Sequence, residues 1–137
     1  MTKTTNKVQC SHCCGYFNPR SLKGAAHLAS CRMYNGYANY ETWAVALWLD
    51  NDEGSYRYWR EQATECKQEA STCRQVCDGI WTPGRAAVFL LADRLKNELT
   101  DSDMVPMLAE VSMYSDLLGA ALSDVAWDDI AETMLAE

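Results

Sequence analysis

The sequence predicts a mainly α protein, a helical bundle of four to six helices preceded by a small N-terminal ββα-like module. Three observations carry that expectation. Through the middle of the chain, Tyr56, Trp59, Ala63, Cys66, Ala70, Cys73 and Cys77 recur at alternating spacings of three and four, the signature of one helix face. No convincing strand alternation occurs outside the first residues. Charge also divides the chain: residues 1–40 hold five basic side chains and no acid, whereas residues 41–137 hold seven basic and nineteen acidic ones. The boundary is therefore placed between a basic head, 1–34, and an acidic body, 35–137. A length of 137 residues, 48% apolar and 23% charged, suits about one globular domain with a small appendage. It excludes a disordered chain, a collagen-like repeat and a coiled-coil rod.

The head reads Cys10-Ser11-His12-Cys13-Cys14-Gly15, then Phe17-Asn18-Pro19-Arg20, then His27 and Cys31. Two thiols three residues apart can face one ion across a tight knuckle. Asn18 suits a helix cap and Pro19 a first helical position. A helix from there to about Arg32 puts His27 and Cys31 four apart on one face, and Phe17 with Leu22 or Leu28 can form a small apolar core. The spacing C-x2-C-x13-H-x3-C resembles zinc fingers with two cysteines, a histidine and a final cysteine, over residues 8–33. The expected ligands of one structural zinc are Cys10, Cys13, His27 and Cys31, with Cys14 as the alternative to Cys13. Phe17 four residues after the second ligand favours Cys13, as in the resembled fingers. Four N and S ligands fill a closed tetrahedral site, and metal binding would supply folding free energy of about 10–16 kcal/mol to a segment too small to fold alone.

In the body, Tyr34-Asn35-Gly36-Tyr37 reads as a turn or linker, and Asn39 caps a helix from Tyr40 to about Asp50. That helix is apolar on most sides, so it is expected to be the central one. The cysteine-bearing seam gives the second helix, with its three thiols behaving as small apolar side chains. A turn over 78–84 precedes a helix from Arg85 to about Leu99. Ser102 or Asp103 can cap a fourth, with Pro106 in or near its first turn. Residues 114–122 continue helically, and a last helix runs from about Val125 to Ala136. The five tryptophans are expected to contribute much of the core area.

Asn39-Tyr40-Glu41-Thr42-Trp43, Leu47-Trp48-Leu49-Asp50-Asn51-Asp52 and Ser115-Asp116-Leu117-Leu118-Gly119-Ala120-Ala121-Leu122-Ser123-Asp124-Val125, followed by Trp127 and Ile130-Ala131-Glu132, resemble a small uncharacterised family of bacteria, phages and plasmids. The resemblance covers roughly residues 37–135. It implies a mobile-element origin and no particular activity.

An enzyme is not expected. There are two histidines, of which His27 is assigned to zinc, and no phosphate loop, nucleophile elbow or H-E-x-x-H pattern occurs. Asp50, Asp52 and Glu53 suit a helix end, and Asp128 and Asp129 a first helical turn. The stretch between Glu41 and Asp50 holds only eight uncharged residues, too few to span a bilayer, and no signal peptide is visible, so a reducing cytoplasm is expected. The expected function is a non-catalytic protein-interaction module. In its most concrete form it inhibits a host defence complex, anti-CRISPR or anti-restriction, through binding and occlusion by the acidic body. The alternative is a zinc-finger regulator binding nucleic acid through the head. Candidate partner contacts are Arg20, Lys23, Arg32, Tyr37 and Tyr40, and a protein is the expected partner, in its concrete form a nucleoprotein defence complex. Weak direct nucleic-acid binding is admitted. Neither a membrane nor a small-molecule substrate is expected.

Overall fold

Asn39 starts the helical body. Its backbone is extended, and its Oδ1 accepts from the Thr42 N–H at 2.9 Å, capping helix α1 (Tyr40–Asn51). This computed structural model describes residues 7–9, 16–17, 20–23, 25–26 and 34–136. A single extended residue, Asp52, then ends α1 and caps α2 (Glu53–Thr72), its carboxylate accepting from Ser55 N–H at 2.7 Å. The acidic cluster at Asp50–Glu53 thus acts as a helix joint. The cysteine seam is helical as expected, but α2 stops at Cys73, whose backbone is extended, and restarts as the single turn α3 (Arg74–Cys77). The seam therefore buries Trp59, Ala63, Cys66 and Ala70, while Cys73 is half-buried and Cys77 exposed.

Thr82 caps α4 (Pro83–Thr100), with Pro83 at its first helical position. That proline lacks only an N–H that has no intrahelical partner there, so the helix begins two residues before Arg85. The short α5 (Pro106–Ala109) follows Val105, with no side-chain cap; neither Ser102 nor Asp103 serves. Ser112 caps α6 (Met113–Ser123), and α7 spans Trp127–Ala136. Residues 34–136 hold seven helices where four to six were expected, because breaks at Cys73 and Glu110 leave two single turns.

The core sits between α2, α4 and α7. Leu91 and Leu95 of α4 meet Trp59, Ala63 and Cys66 of α2, Ile130 and Ala131 of α7, Ala46 and Leu49 of α1, and Val125. A second cluster joins Ala70 to Ala86 and Ala87, small side chains that let α2 and α4 approach closely. Arg94 of α4 reaches across to α2, donating to Gln62 Oε1 at 2.8 Å and pairing with Glu65 at 3.1 Å and with Glu69. The central helix is therefore α4, not α1. The reason is that α1 is apolar on most sides but covered on one side only: Thr42, Ala46 and Leu49 face inward, while Trp48 is 75% exposed. Of the five tryptophans, Trp59 and Trp127 are buried, Trp43 and Trp81 half-buried and Trp48 exposed.

In the head, β1 (Val8–Gln9) and β2 (Tyr16–Phe17) pair antiparallel, Val8 opposite Phe17 and Gln9 opposite Tyr16. Residues 22, 23, 25 and 26 are helical, and Ser21 O accepts from Ala25 N–H at 2.8 Å. Arg20 and Ser21 are not helical, and Pro19 lies outside the described residues. Leu22 is 92% exposed, so it does not supply the apolar core expected of it.

Candidate interaction surfaces

A polar latch joins the start of α1 to the turn before α7. Thr42 is fully buried. Its hydroxyl donates to Asn39 Oδ1 at 2.6 Å and accepts from Ala126 N–H at 2.9 Å. The Asn39 side-chain amide donates to the Asp124 carbonyl at 2.6 Å, and Ala38 N–H donates to Asp129 Oδ2 at 3.0 Å. These partners lie 84 to 91 residues apart in sequence. Buried polar groups of this kind are costly unless every one is matched, which gives the Asn39–Trp43 and Asp124–Trp127 motifs a structural reason. Asp128 and Asp129 do occupy the first turn of α7, and Asp129 in addition is buried and holds the incoming chain.

Just ahead of the latch, Tyr34-Asn35-Gly36-Tyr37 forms a tight two-residue hairpin turn. Tyr34 and Tyr37 exchange backbone hydrogen bonds at 2.9 and 2.8 Å, with φ of 45° at Asn35 and 90° at Gly36. Both central residues are left-handed, the geometry for which Asn-Gly is preferred. The turn sends its two tyrosines in different directions. Tyr37 is half-buried against the core, beside Ala46, Ile130 and Met134. Tyr34 lies with Tyr40 and Trp43, ring centroids 5.1 to 5.6 Å apart.

Tyr40 is 54% exposed. With Leu47 and Trp48 it continues this cluster along the outward face of α1, where helical spacing sets 40, 43, 44 and 47 on one stripe. Of the remaining candidate contacts, Arg20 and Lys23 are exposed in the head. Cys10, Cys13, Cys14, His27, Cys31 and Arg32 lie outside the described residues. Among the described residues no three His, Cys, Asp or Glu side chains cluster so that they could hold a metal ion.

Elsewhere the surface is acidic and locally paired. Arg57 pairs with Glu53 at 2.6 Å, and the Arg60 guanidinium lies 4.9 Å from the Tyr56 ring centroid. Tyr58 donates to the Glu98 carboxylate at 2.8 and 2.9 Å; this bond, with burial and the nearby negative charge, raises its pKa above 10.0. Burial pushes the Cys66 thiol above its ordinary value. A groove between α4 and α7 is lined by Val88, Phe89 and Ala92, with Arg85, Asp128 and Glu132 also on its walls.

Two surface features escaped the sequence reading. One is that residues 97–137 contain ten acids and no base. The other is that α6, made largely of apolar residues, has none of them buried. A charge count taken over that window would have found the first, and the apolar run Leu117-Leu118-Gly119-Ala120-Ala121-Leu122 in α6 hinted at the second.

Fold and surface define a small helical-bundle protein with sharply segregated charge. Residues 30–114 match a family of unknown function, DUF7249, and the chain belongs to that family. This agrees with the resemblance to an uncharacterised family, although the match stops short of the Ser115–Val125 and Trp127 motifs. No curated protein and no solved structure matches the chain. No helix among the described residues is long and apolar enough to cross a membrane.

Proposed function

We propose that this protein is a non-catalytic interaction module of mobile-element origin, most concretely an inhibitor of a host defence complex of the CRISPR or restriction type that works by binding and occlusion in the host cytoplasm. The observation that carries this reading is the outward face of α1: Tyr34, Tyr40, Trp43, Leu47 and Trp48 present an aromatic surface on a helix whose start is locked by the latch. Rigid aromatic side chains offer large contact area at low entropic cost and dominate protein interfaces. The acidic body supplies the complementary charge for a basic, phosphate-binding channel.

In this reading the head is a zinc finger that docks on protein. Support comes from the order strand, strand, helix along the chain: the two strands flank, in sequence, residues 10–15, which carry Cys10, Cys13 and Cys14, and the helical residues 22, 23, 25 and 26 precede His27 and Cys31 in sequence. One structural zinc held by those residues would supply no open coordination position. The exposed Arg20 and Lys23 favour a second reading, a nucleic-acid-binding regulator.

The test is affinity purification from a host carrying an active defence system, beside an electrophoretic shift with free DNA and RNA. The first reading expects a stoichiometric protein complex, restored infection by a targeted phage, and loss of both with Tyr40→Ala plus Trp48→Ala. Salt-sensitive shifts of free nucleic acid, abolished by Arg20→Ala plus Lys23→Ala and accompanied by no protein complex, would establish the second.

A further inference from the structure

Beyond the face of α1, the stretch from Asp101 to Ser123 carries a different surface. Met104, Met107, Val111, Met113, Tyr114 and Leu117 are each more than half exposed. On α6, Met113, Tyr114, Leu117 and Ala120 share the outward stripe, while Leu118 and Leu122 turn inward. The helix is therefore apolar on both sides and covered on one. Its neighbour α5 packs against it, with Ser115 Oγ donating to the Leu108 carbonyl at 3.4 Å, which brings the methionines of 104–107 into the same region. Soluble monomers rarely leave so much contiguous apolar surface without a use.

The rim of this surface identifies its occupant. Asp101, Asp103, Glu110, Asp116 and Asp124 are all exposed, and no basic residue occurs from position 97 onward. The nearest base in sequence, Lys96, lines the groove behind α6 with Thr100, Leu108, Gly119 and Leu122. We infer that the α5–α6 surface is a docking site for a cationic amphipathic helix of a partner protein. The apolar face of such a helix would lie on the methionines, tyrosine and leucine, and its lysines and arginines would meet the acidic rim. Methionine is unbranched and adaptable, so this surface suits a helix of defined amphipathicity rather than one fixed sequence. A second copy of the chain is disfavoured because a two-fold contact would set one acidic rim against another. A membrane leaflet is disfavoured because its own charge is negative.

The site is independent of the α1 face, and the test keeps the two apart. The probe is a fluorescent leucine–lysine peptide that folds as an amphipathic helix, titrated into the full chain and followed by anisotropy at low and high salt. Binding is expected to weaken with salt. Met113→Gln plus Leu117→Gln, which leave charge unchanged at exposed positions, are expected to weaken it about tenfold or more. Asp103→Asn, Glu110→Gln and Asp116→Asn together are expected to remove most of the salt dependence, and Tyr40→Ala plus Trp48→Ala are expected to change nothing. Three results would overturn the inference. The first is equal binding of a peptide of the same composition but shuffled to disperse its apolar face, which would indicate mere attraction to an acidic protein. The second is binding indifferent to the Met113 and Leu117 substitutions. The third is a free chain that sediments as a dimer which those two substitutions dissolve, which would make the surface a self-contact.

Discussion

Replacing Thr42 by valine removes one hydroxyl from the latch and almost no volume. The threonine is fully buried, its Oγ1 donates to Asn39 Oδ1 at 2.6 Å, and it receives the Ala126 N–H at 2.9 Å. Valine fills the same space, so no cavity opens; what is lost is one net hydrogen bond and the only side-chain acceptor shown for the Ala126 N–H. A typical net bond contributes about 1 kcal/mol, and an unmatched buried donor costs about 1–3 kcal/mol. Ala126 is only half-buried, so the lower end applies and the expected loss is about 2 kcal/mol. For a domain of this size that lowers the melting temperature by roughly 8 °C. Urea unfolding followed by far-ultraviolet circular dichroism measures the loss directly. Asn39→Ala should couple with Thr42→Val by more than about 0.5 kcal/mol in a double-mutant cycle, because the two side chains share a bond. If Thr42→Val unfolds within about 0.5 kcal/mol of the parent, or the two changes simply add, the latch does not hold the body together as described.

Three further outcomes concern side chains away from the latch. Elemental analysis should find about one zinc per chain; Cys10→Ser or His27→Ala should remove it while the helical signal of the body persists, and metal-free protein with an ordered head would refute the assignment. The Tyr58 phenol should ionise above pH 10.0, the value from which its hydrogen bond to Glu98 raises it. Since the folded pKa is the higher one, its stabilising contribution is complete below pH 10.0 and fades as pH rises through the folded value; absorbance titration of Glu98→Gln should bring the ionisation back down. Thiol labelling mapped by mass spectrometry should modify exposed Cys77 first, Cys73 more slowly, and Cys66 only on unfolding, because Cys66 is buried and burial holds its thiol protonated.

What the sequence revealed was mostly periodic and local. The α2 seam, the Asn39 cap, the Asn35-Gly36 turn and the acidic first turn of α7 are each written in a few adjacent or evenly spaced residues. The order of burial was not legible, because it depends on which helices meet. Apolar residues surround α1, yet only one side has a neighbour, whereas α4, with charges interspersed, lies between α2 and α7. The end of α2 at Cys73 was hidden because the 3–4 spacing continues through Cys77 after the helix has broken. Thr82-Pro83 was a helix start read as a turn. The aromatic candidates were found because tyrosines crowd one short segment. The division of labour between Tyr34 and Tyr37 depends on the left-handed turn between them, which no spacing rule encodes. The α6 surface went unremarked because an apolar helix in a sequence looks like core until its neighbours are known.

The latch also dictates a timetable for synthesis. Ala38 and Asn39 find their partners at Asp129 and Asp124, and the leucines of α4 are sealed by Ile130 and Ala131. A nascent chain emerging from the ribosome can pack Leu91 and Leu95 against α2 at once, but their α7 side stays uncovered until some forty more residues have been translated. The core is completed in a late step, and a chain stalled near Asp124 would present that uncovered side to chaperones and proteases.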